Sequence, residues 1–485
     1  MVDTPSDPTA PRLDPDVEAM RELGYRVVDL IVDHRASLPS RPVTRRAARA
    51  DLDRALGRTL PEHGTEPAAV LALVEQILQT AIGHTDHPRF MGYVPSPGNF
   101  VGAMGDALAS GFNVFAGHCL VGSGPAAIEA TTLTWLADLM GLPPSAGGIF
   151  LSGGSMANLS GIHVARTRLL GPDRGHDPAL RVYGTEQAHS SVTKALRILG
   201  FGPEQYRTID VDAAHRLDLG ALEAAIVADS GLGARPFLVV ATAGSTSVGA
   251  VDPLPAIRAL CDRHGLWLHV DGAYGAAVRL CKSRAHAVEG IELADSLVLD
   301  PHKWWFQPYE IGCLLTRDGA DLQAAFSTHA AYLAEAASVT RTAGERYLDG
   351  EITFYEHGPQ LTRGFRALKF WMFLMTQGRD ALAQLIEQGV RNGETAEAML
   401  RRTGPFEIVT AASIGILTFR PAEPGRRDPA VIARAVDRLL DDGHALITTT
   451  AVDDEPVFRL CPIHPELTAA DIEESLERLA GFLAA

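Results

Sequence analysis

The sequence predicts an α/β protein: a mainly parallel sheet with helices on both faces, followed by a small α+β domain. Three observations carry this. Five short apolar runs (Gly148–Leu151, Arg181–Gly184, Phe237–Thr242, Leu266–Val270 and Ser296–Leu299) alternate with helical patterns, the signature of parallel strands joined by crossover helices. Each run stops at polar or glycine-rich residues, which places one ligand crevice along the strand ends. Beyond residue 373 the alternation gives way to paired short strands with two helices, and 485 residues exceed one average domain.

The elements follow in order. Residues 1–14 are acidic and proline-rich, expected to be disordered, and read neither as a signal nor as a transit peptide. Asp16–Ala36 has Met20, Leu23, Val27, Val28, Ile31 and Val32 at helical spacing. A second helix is expected over Pro67–Ile82, with an arginine-rich connection, Arg41–Arg58, between them. These helices are too few for a core of their own, so they must pack on something else, and a partner subunit is one candidate. His84–Gly98 is a loop of histidines, prolines and aromatics that suits a pocket wall or a stiff connection. Asn99–Ser110 and Pro125–Gly141 read as helices. Ile311–Thr316 is a further strand whose short link to the one before suggests an antiparallel run. Asp321–Glu356 is less regular, the pattern of a loop, and Arg363–Gln377 begins a long helix. The remainder predicts strands at Phe406–Val409, Gly415–Phe419, Ala445–Thr449 and Val457–Cys461, with helices at Pro429–Asp442 and Ala469–Ala484. The expected domains are 1–88, 89–372 and 373–485.

Composition excludes some functions. A formal net charge of −16 argues against nucleic-acid or anionic-membrane partners. No apolar run approaches the roughly 20 residues of a membrane span. The five cysteines are scattered without CxxC spacing, which fits a reducing cytoplasm and speaks against a zinc site or other metal centre.

The chemistry centres on Ser296–Trp305, SLVLDPHKWW. A buried strand ends at Asp300-Pro301, and Lys303 follows at the crevice. Desolvation there is expected to lower its pKa and make the amine a nucleophile. A lysine reaching out from a loop is the ordinary reading. Yet the chain has only four lysines among 43 Lys+Arg, and arginine cannot form an imine at neutral pH. Gly153-Gly154-Ser155 follows a strand and opens a helix, where free N–H groups suit a phosphate; an ordinary turn gives the same pattern. Asp271 ends LWLHVD and needs a cationic partner if buried, although a helix N-cap would look alike. The 32 residues from Asp271 to Lys303 allow one crossover between parallel strands, putting both over one crevice. His189 could stack on a planar ring or move a proton, and Thr246 could donate its hydroxyl, though singly either suits a structural or turn role. Together, in this order at successive strand ends, these residues form the inventory for pyridoxal phosphate, an electron sink held by a lysine.

Four segments resemble the group II pyridoxal-phosphate-dependent amino acid decarboxylases: SGGSMAN at Ser152–Asn158, EQAHSS at Glu186–Ser191, HVDGAYGAA at His269–Ala277 and DPHKW at Asp300–Trp304. The resemblance runs from about His84 to Leu479. It implies fold type I, the aspartate-aminotransferase-like fold with a seven-stranded sheet, and a homodimer with sites at the interface and the N-terminal segment wrapped over the partner. It implies Gly154 and Ser155 as phosphate contacts, His189 as the ring-stacking histidine, Thr246, Asp271, Ala273 and His302 as cofactor contacts, and Lys303 as the imine lysine. Tyr332, in HAAYLAE, is similar to the loop tyrosine that protonates the quinonoid carbon, and tyrosine there favours decarboxylation over aldehyde formation. Val94, Ser96, Met156 and Thr362 depart from the aromatic decarboxylases. Tyr93 and Ser96 are the expected substrate contacts, with Phe90 and Trp304 as further aromatic wall. The expected reaction is decarboxylation of an L-amino acid, most simply an aromatic one. The alternatives are an acidic or other non-aromatic substrate, aldehyde synthesis, transamination, or a silent scaffold. Arg363 and Arg459 match family-wide positions and do not decide among them.

Overall fold

The structure, a computed structural model, describes residues 13–172, 177–327, 346–402 and 404–484. Its large sheet has seven strands: β1 (Gly147–Leu151), β2 (Leu180–Thr185), β3 (Tyr206–Ile209), β4 (Arg235–Thr242), β5 (Trp267–Asp271), β6 (Ser296–Leu299) and β7 (Gly312–Thr316), in the order β1-β7-β6-β5-β4-β2-β3. The run β3-β2-β4-β5-β6 is parallel, and β7 lies antiparallel to both β6 and β1. The short link after Lys303 therefore forces the expected reversal. β1, β6 and β7 are buried along their whole lengths, which is why they read as unbroken apolar runs. The sequence reading missed β3. Its residues YRTI are half polar and it sits at the sheet edge with one neighbour.

Three helices lead the chain: α1 (Val17–Ser37), α2 (Arg49–Leu56) and α3 (Pro67–Thr80). α2 corrects the expectation of a plain connection over Arg41–Arg58. No residue of the three is buried, so most of their apolar surface faces outward, with Val17, Met20, Tyr25 and Val32 of α1 and Val70, Val74 and Leu78 of α3 exposed. His34 near the end of α1 reaches Asp86 at 2.8 Å. α4 (Phe100–Gly111) and α5 (Ser123–Met140) precede the sheet. α6 (Gly154–Leu170), α7 (Ser190–Ile198), α8 (Leu219–Gly231) and α9 (Leu254–His264) make the crossovers. α10 (Gly319–Phe326) is helical where Asp321–Glu356 reads as a loop. Its eight residues, between Asp318 as N-cap and Ser327, are too few for a clear periodic signal.

α11 (Ala367–Arg402) runs from the large sheet to the small one and breaks at Gly378, whose φ is 71°. The expected boundary at 373 falls inside it. The small sheet, β8 (Phe406–Ser413), β9 (Ile416–Pro421), β10 (Thr448–Val452) and β11 (Glu455–Leu460), is antiparallel in the order β10-β11-β9-β8. α12 (Pro429–Asp442) and α13 (Ala469–Ala484) complete its separate apolar cluster. β10 starts later than expected because Leu446 pairs instead with the His-Pro loop: Met91 N–H donates to Leu446 O at 2.8 Å and Leu446 N–H to Arg89 O at 3.1 Å. That loop is thus partly a clamp between the two sheets.

Candidate active site

The carboxyl ends of β1, β2, β4, β5 and β6 surround a cavity of 330 Å³, walled by Gly154, Ser155, His189, Thr246, Asp271, Ala273, His302 and Lys303. The eight residues expected to hold the cofactor are therefore brought together. The reason is topological. Parallel strands β5 and β6 are neighbours, so the residues at and just after their ends open on the same side.

Each wall residue has a local cause. Gly154 opens α6, so its N–H and that of Ser155 lack intrahelical partners. A Cβ on Gly154 would lie 2.7 Å from Asp300 Oδ2, so only glycine lets the helix start approach that carboxylate. His189 is the N-cap of α7, its Nδ1 accepting the Ser191 N–H at 3.2 Å. Burial, with Lys303 adding, holds its imidazole below the usual range, so it is neutral at pH 7. Thr246 is exposed, and its carbonyl accepts from Arg459 Nε at 2.6 Å. Ala273 N–H donates to Asp271 Oδ1 at 3.1 Å. His302 Nδ1 accepts the Ile311 N–H at 3.2 Å, and burial keeps this imidazole neutral too.

Lys303 corrects an expectation. Its Nζ lies 2.9 Å from Asp300 Oδ2. Burial acts to lower its pKa, but the carboxylates of Asp300 and Asp271 outweigh burial and hold it above the usual range. Sequence reasoning treated Asp300 as a turn residue only. Its place three residues before the lysine, in the same motif, was the available signal. Asn158 and Ser191 were also missed as site residues, although both lie in the quoted SGGSMAN and EQAHSS segments and line the cavity.

The other expected positions lie elsewhere. Tyr93, with φ 49° and 66% exposed, and Ser96, buried, do not line the cavity. Tyr93 is joined to the wall through one intermediary. Arg459 Nη1 donates to Tyr93 O at 2.5 Å while its Nε holds Thr246. Ser96 Oγ donates to Gln307 O at 3.2 Å, two residues before Tyr309, whose ring lies 5.1 Å from that of His302. Phe90 and Trp304 are buried. Trp304 stacks on Tyr274 at 4.9 Å, and neither Phe90 nor Trp304 lines the cavity. Arg363 is buried against Glu129 at 2.6 Å and donates to Ala116 O and Phe150 O, a structural role. Tyr332 lies outside the described residues. Away from the cavity, His34, His84 and Asp86 bring three metal-capable atoms within 4.8 Å of one another.

The donor set fits one cofactor. Asp271 is 6% exposed and, among the described residues, its carboxylate accepts hydrogen bonds only from the neutral groups Asn158 Nδ2 and Ala273 N–H. A carboxylate so buried needs a cation, and a protonated pyridine nitrogen supplies one. The amine, the free helix start and the neutral imidazole match the aldehyde, phosphate and flat ring of the same molecule.

Residues 50–422 match the model of the pyridoxal-dependent decarboxylase conserved domain. The chain belongs to the pyridoxal-dependent decarboxylases. This decarboxylase is 40% identical over 469 residues to the aromatic-L-amino-acid decarboxylase of Bacillus atrophaeus, covering 96% of this chain and 95% of that one. It is 31% identical over 438 residues, 88% of this chain and 81% of the relative, to L-tyrosine/L-DOPA decarboxylase 2 of Lophophora williamsii. Among solved structures, Oryza sativa TDC with PLP and tryptamine aligns with a TM-score of 0.88 at 27% identity, covering 98% of this chain and 99% of that one. The decarboxylase is thus a fold type I enzyme whose cofactor is pyridoxal phosphate and whose reaction is the decarboxylation of an amino acid.

Proposed function

We propose that this decarboxylase converts an aromatic L-amino acid to its amine and carbon dioxide, with Lys303 as the covalent anchor of the cofactor. The supporting observation is that adjacent parallel strands bring Asp271 and Lys303 to one cavity, in a chain 40% identical over nearly its whole length to an aromatic-L-amino-acid decarboxylase. When bound, the cofactor supplies a sink for the electron pair left as the carboxylate departs. The chain's own residues do the rest. Asp271 keeps a proton on the ring nitrogen. Gly154 and Ser155 would hold the phosphate and His189 the ring, with Thr246, Ala273 and His302 as further contacts. Asp300 takes the proton that Lys303 Nζ must lose before it reacts. Tyr332 is the proposed proton donor to the carbon that loses the carboxylate, which favours amine over aldehyde.

Tyr93 and Ser96 are proposed to face the substrate side chain. An acidic side chain would call for an additional free arginine, and Arg363 is committed to Glu129. The exposed apolar residues of α1 and α3 support a homodimer, with the N-terminal segment 1–88 laid on the partner, the site at the interface, and 89–372 and 373–485 as the large and small domains. Five unpaired cysteines suit a cytoplasmic enzyme.

The test is incubation of the purified holoenzyme with each proteinogenic amino acid, measuring carbon dioxide and amine. Release from aromatic substrates alone is expected. Release confined to acidic substrates, or an aldehyde with ammonia as product, would overturn the reading.

A further inference from the structure

Asp271 is the end of a line of hydrogen bonds that starts at half-buried Trp267, the first residue of β5. Trp267 Nε1–H donates to Ser296 Oγ at 2.8 Å. Ser296 Oγ lies 2.7 Å from His269 Nδ1, and His269 Nε2 lies 2.9 Å from Asn158 Oδ1. The Asn158 amide then donates twice, to Asp271 Oδ2 and to Ser191 Oγ, both at 2.9 Å. Ser191 Oγ lies 2.8 Å from His189 Nδ1.

Donor and acceptor capacity give this line a direction. An indole N–H can only donate, so Ser296 accepts it and turns its own proton to His269 Nδ1. His269 then carries its proton on Nε2 and donates to the Asn158 carbonyl. Both N–H groups of Asn158 are left for Asp271 and Ser191, and the Ser191 hydroxyl donates onward to His189. Flipping the Asn158 amide would set its oxygen against the carboxylate of Asp271 and its N–H groups against the Nε2–H of His269. The line is complete with His269 neutral and its proton on Nε2. Burial pushes its pKa down to about 4, and no polar space surrounds it: a Cβ on Gly161 of α6 would lie 2.5 Å from His269 Cε1.

We propose that Asn158 is a positioning residue: it transmits the orientation set by Trp267, Ser296 and His269 to the carboxylate of Asp271 and, through Ser191, to the imidazole of His189. One amide thereby aligns two groups that meet the cofactor from separate strand ends. The proposal rests on the reading that Asp271 faces the ring nitrogen.

The experiment is a cofactor-binding cycle on the full-length enzyme, titrating pyridoxal phosphate into cofactor-free protein and recording the visible absorption of the loaded form against pH. Asn158→Ala is expected to weaken cofactor binding by about tenfold and kcat by about 10- to 100-fold, the range for lost outer-shell partners, and to move the pH at which the bound cofactor changes colour. In an Asp271→Ala background the same change should weaken binding clearly less than in the native enzyme, because coupled residues do not add and only the Ser191–His189 branch remains. Ser296→Ala, which leaves Asn158 in place, should shift the spectrum in the same direction, and Ser296→Thr should restore it. This pair serves if Asn158→Ala does not fold. An equal loss of binding from Asn158→Ala in both backgrounds, or an unmoved spectrum in both Asn158→Ala and Ser296→Ala, would overturn the proposal. An Asp271→Ala enzyme with ordinary binding and turnover would instead remove the reading of Asp271.

Discussion

Nζ of Lys303 lies 2.9 Å from Oδ2 of Asp300, a carboxylate that is 2% exposed and whose Oδ1 makes no hydrogen bond among the described residues. The pair sits at the mouth of β6 with Asp271 nearby. Burial pulls the ammonium toward its neutral form, and the two carboxylates pull harder the other way. Before the cofactor arrives, the lysine is thus held charged, with its proton acceptor already in contact.

Only the neutral amine attacks an aldehyde, so cofactor capture by the cofactor-free enzyme should accelerate as pH rises. Replacing Asp300 with Asn removes the charge that raises the amine, and the midpoint of that profile should move to lower pH. Stopped-flow absorbance reads this, and a midpoint that stays put or rises would contradict the role given to Asp300. Lys303→Ala should bind cofactor without a borohydride-reducible link and show only background turnover.

Stability should fall as the solution is acidified from pH 6.5 toward 4. His87, His269 and His464 are each pushed down by burial to about 4. The unfolded chain therefore binds protons in this window that the folded chain does not, and folding free energy drops by about 1.4 kcal/mol per pH unit for each histidine. Asp252, pushed up by burial to about 6, opposes this with one proton below that pH. Denaturant unfolding at pH 7, 6 and 5 should show a net loss, and His87→Gln should flatten the slope by one histidine's share. A flat profile between pH 6.5 and 4 would contradict the assignment.

The buried ion pair of Arg363 and Glu129, 1% and 0% exposed, predicts strong asymmetry. Arg363→Met alone leaves Glu129 uncompensated and should cost about 3–5 kcal/mol of stability. Combining it with Glu129→Gln should recover a measurable part of that loss in the same unfolding assay. Loss from the double variant equal to the sum of the singles would mean the two do not act as a pair.

Much of the site was legible because its motifs are local. Gly154, His189, Asp271 and Lys303 each stand just past an apolar run, and a run's end is readable from its neighbours alone. The helices at Pro429–Asp442 and Ala469–Ala484 are seen where their periodicity places them. What escaped was short or non-local. β3 has four residues and an edge position. Trp304 and Phe90 look like pocket aromatics until both are seen to be buried, Trp304 stacked on Tyr274.

The sequence by itself determined most of the strand-and-helix order, the mainly parallel sheet and a set of residues that line one cavity, because side-chain periodicity and turn chemistry act over a few residues. Only the tertiary structure decided the partners of those residues. Asn158 meets Asp271 across 113 positions, Arg459 meets Thr246 across 213, and the charge state of Lys303 depends on two carboxylates balanced against burial. Burial and electrostatic interaction depend on distance in space, and distance in space is set by the whole fold.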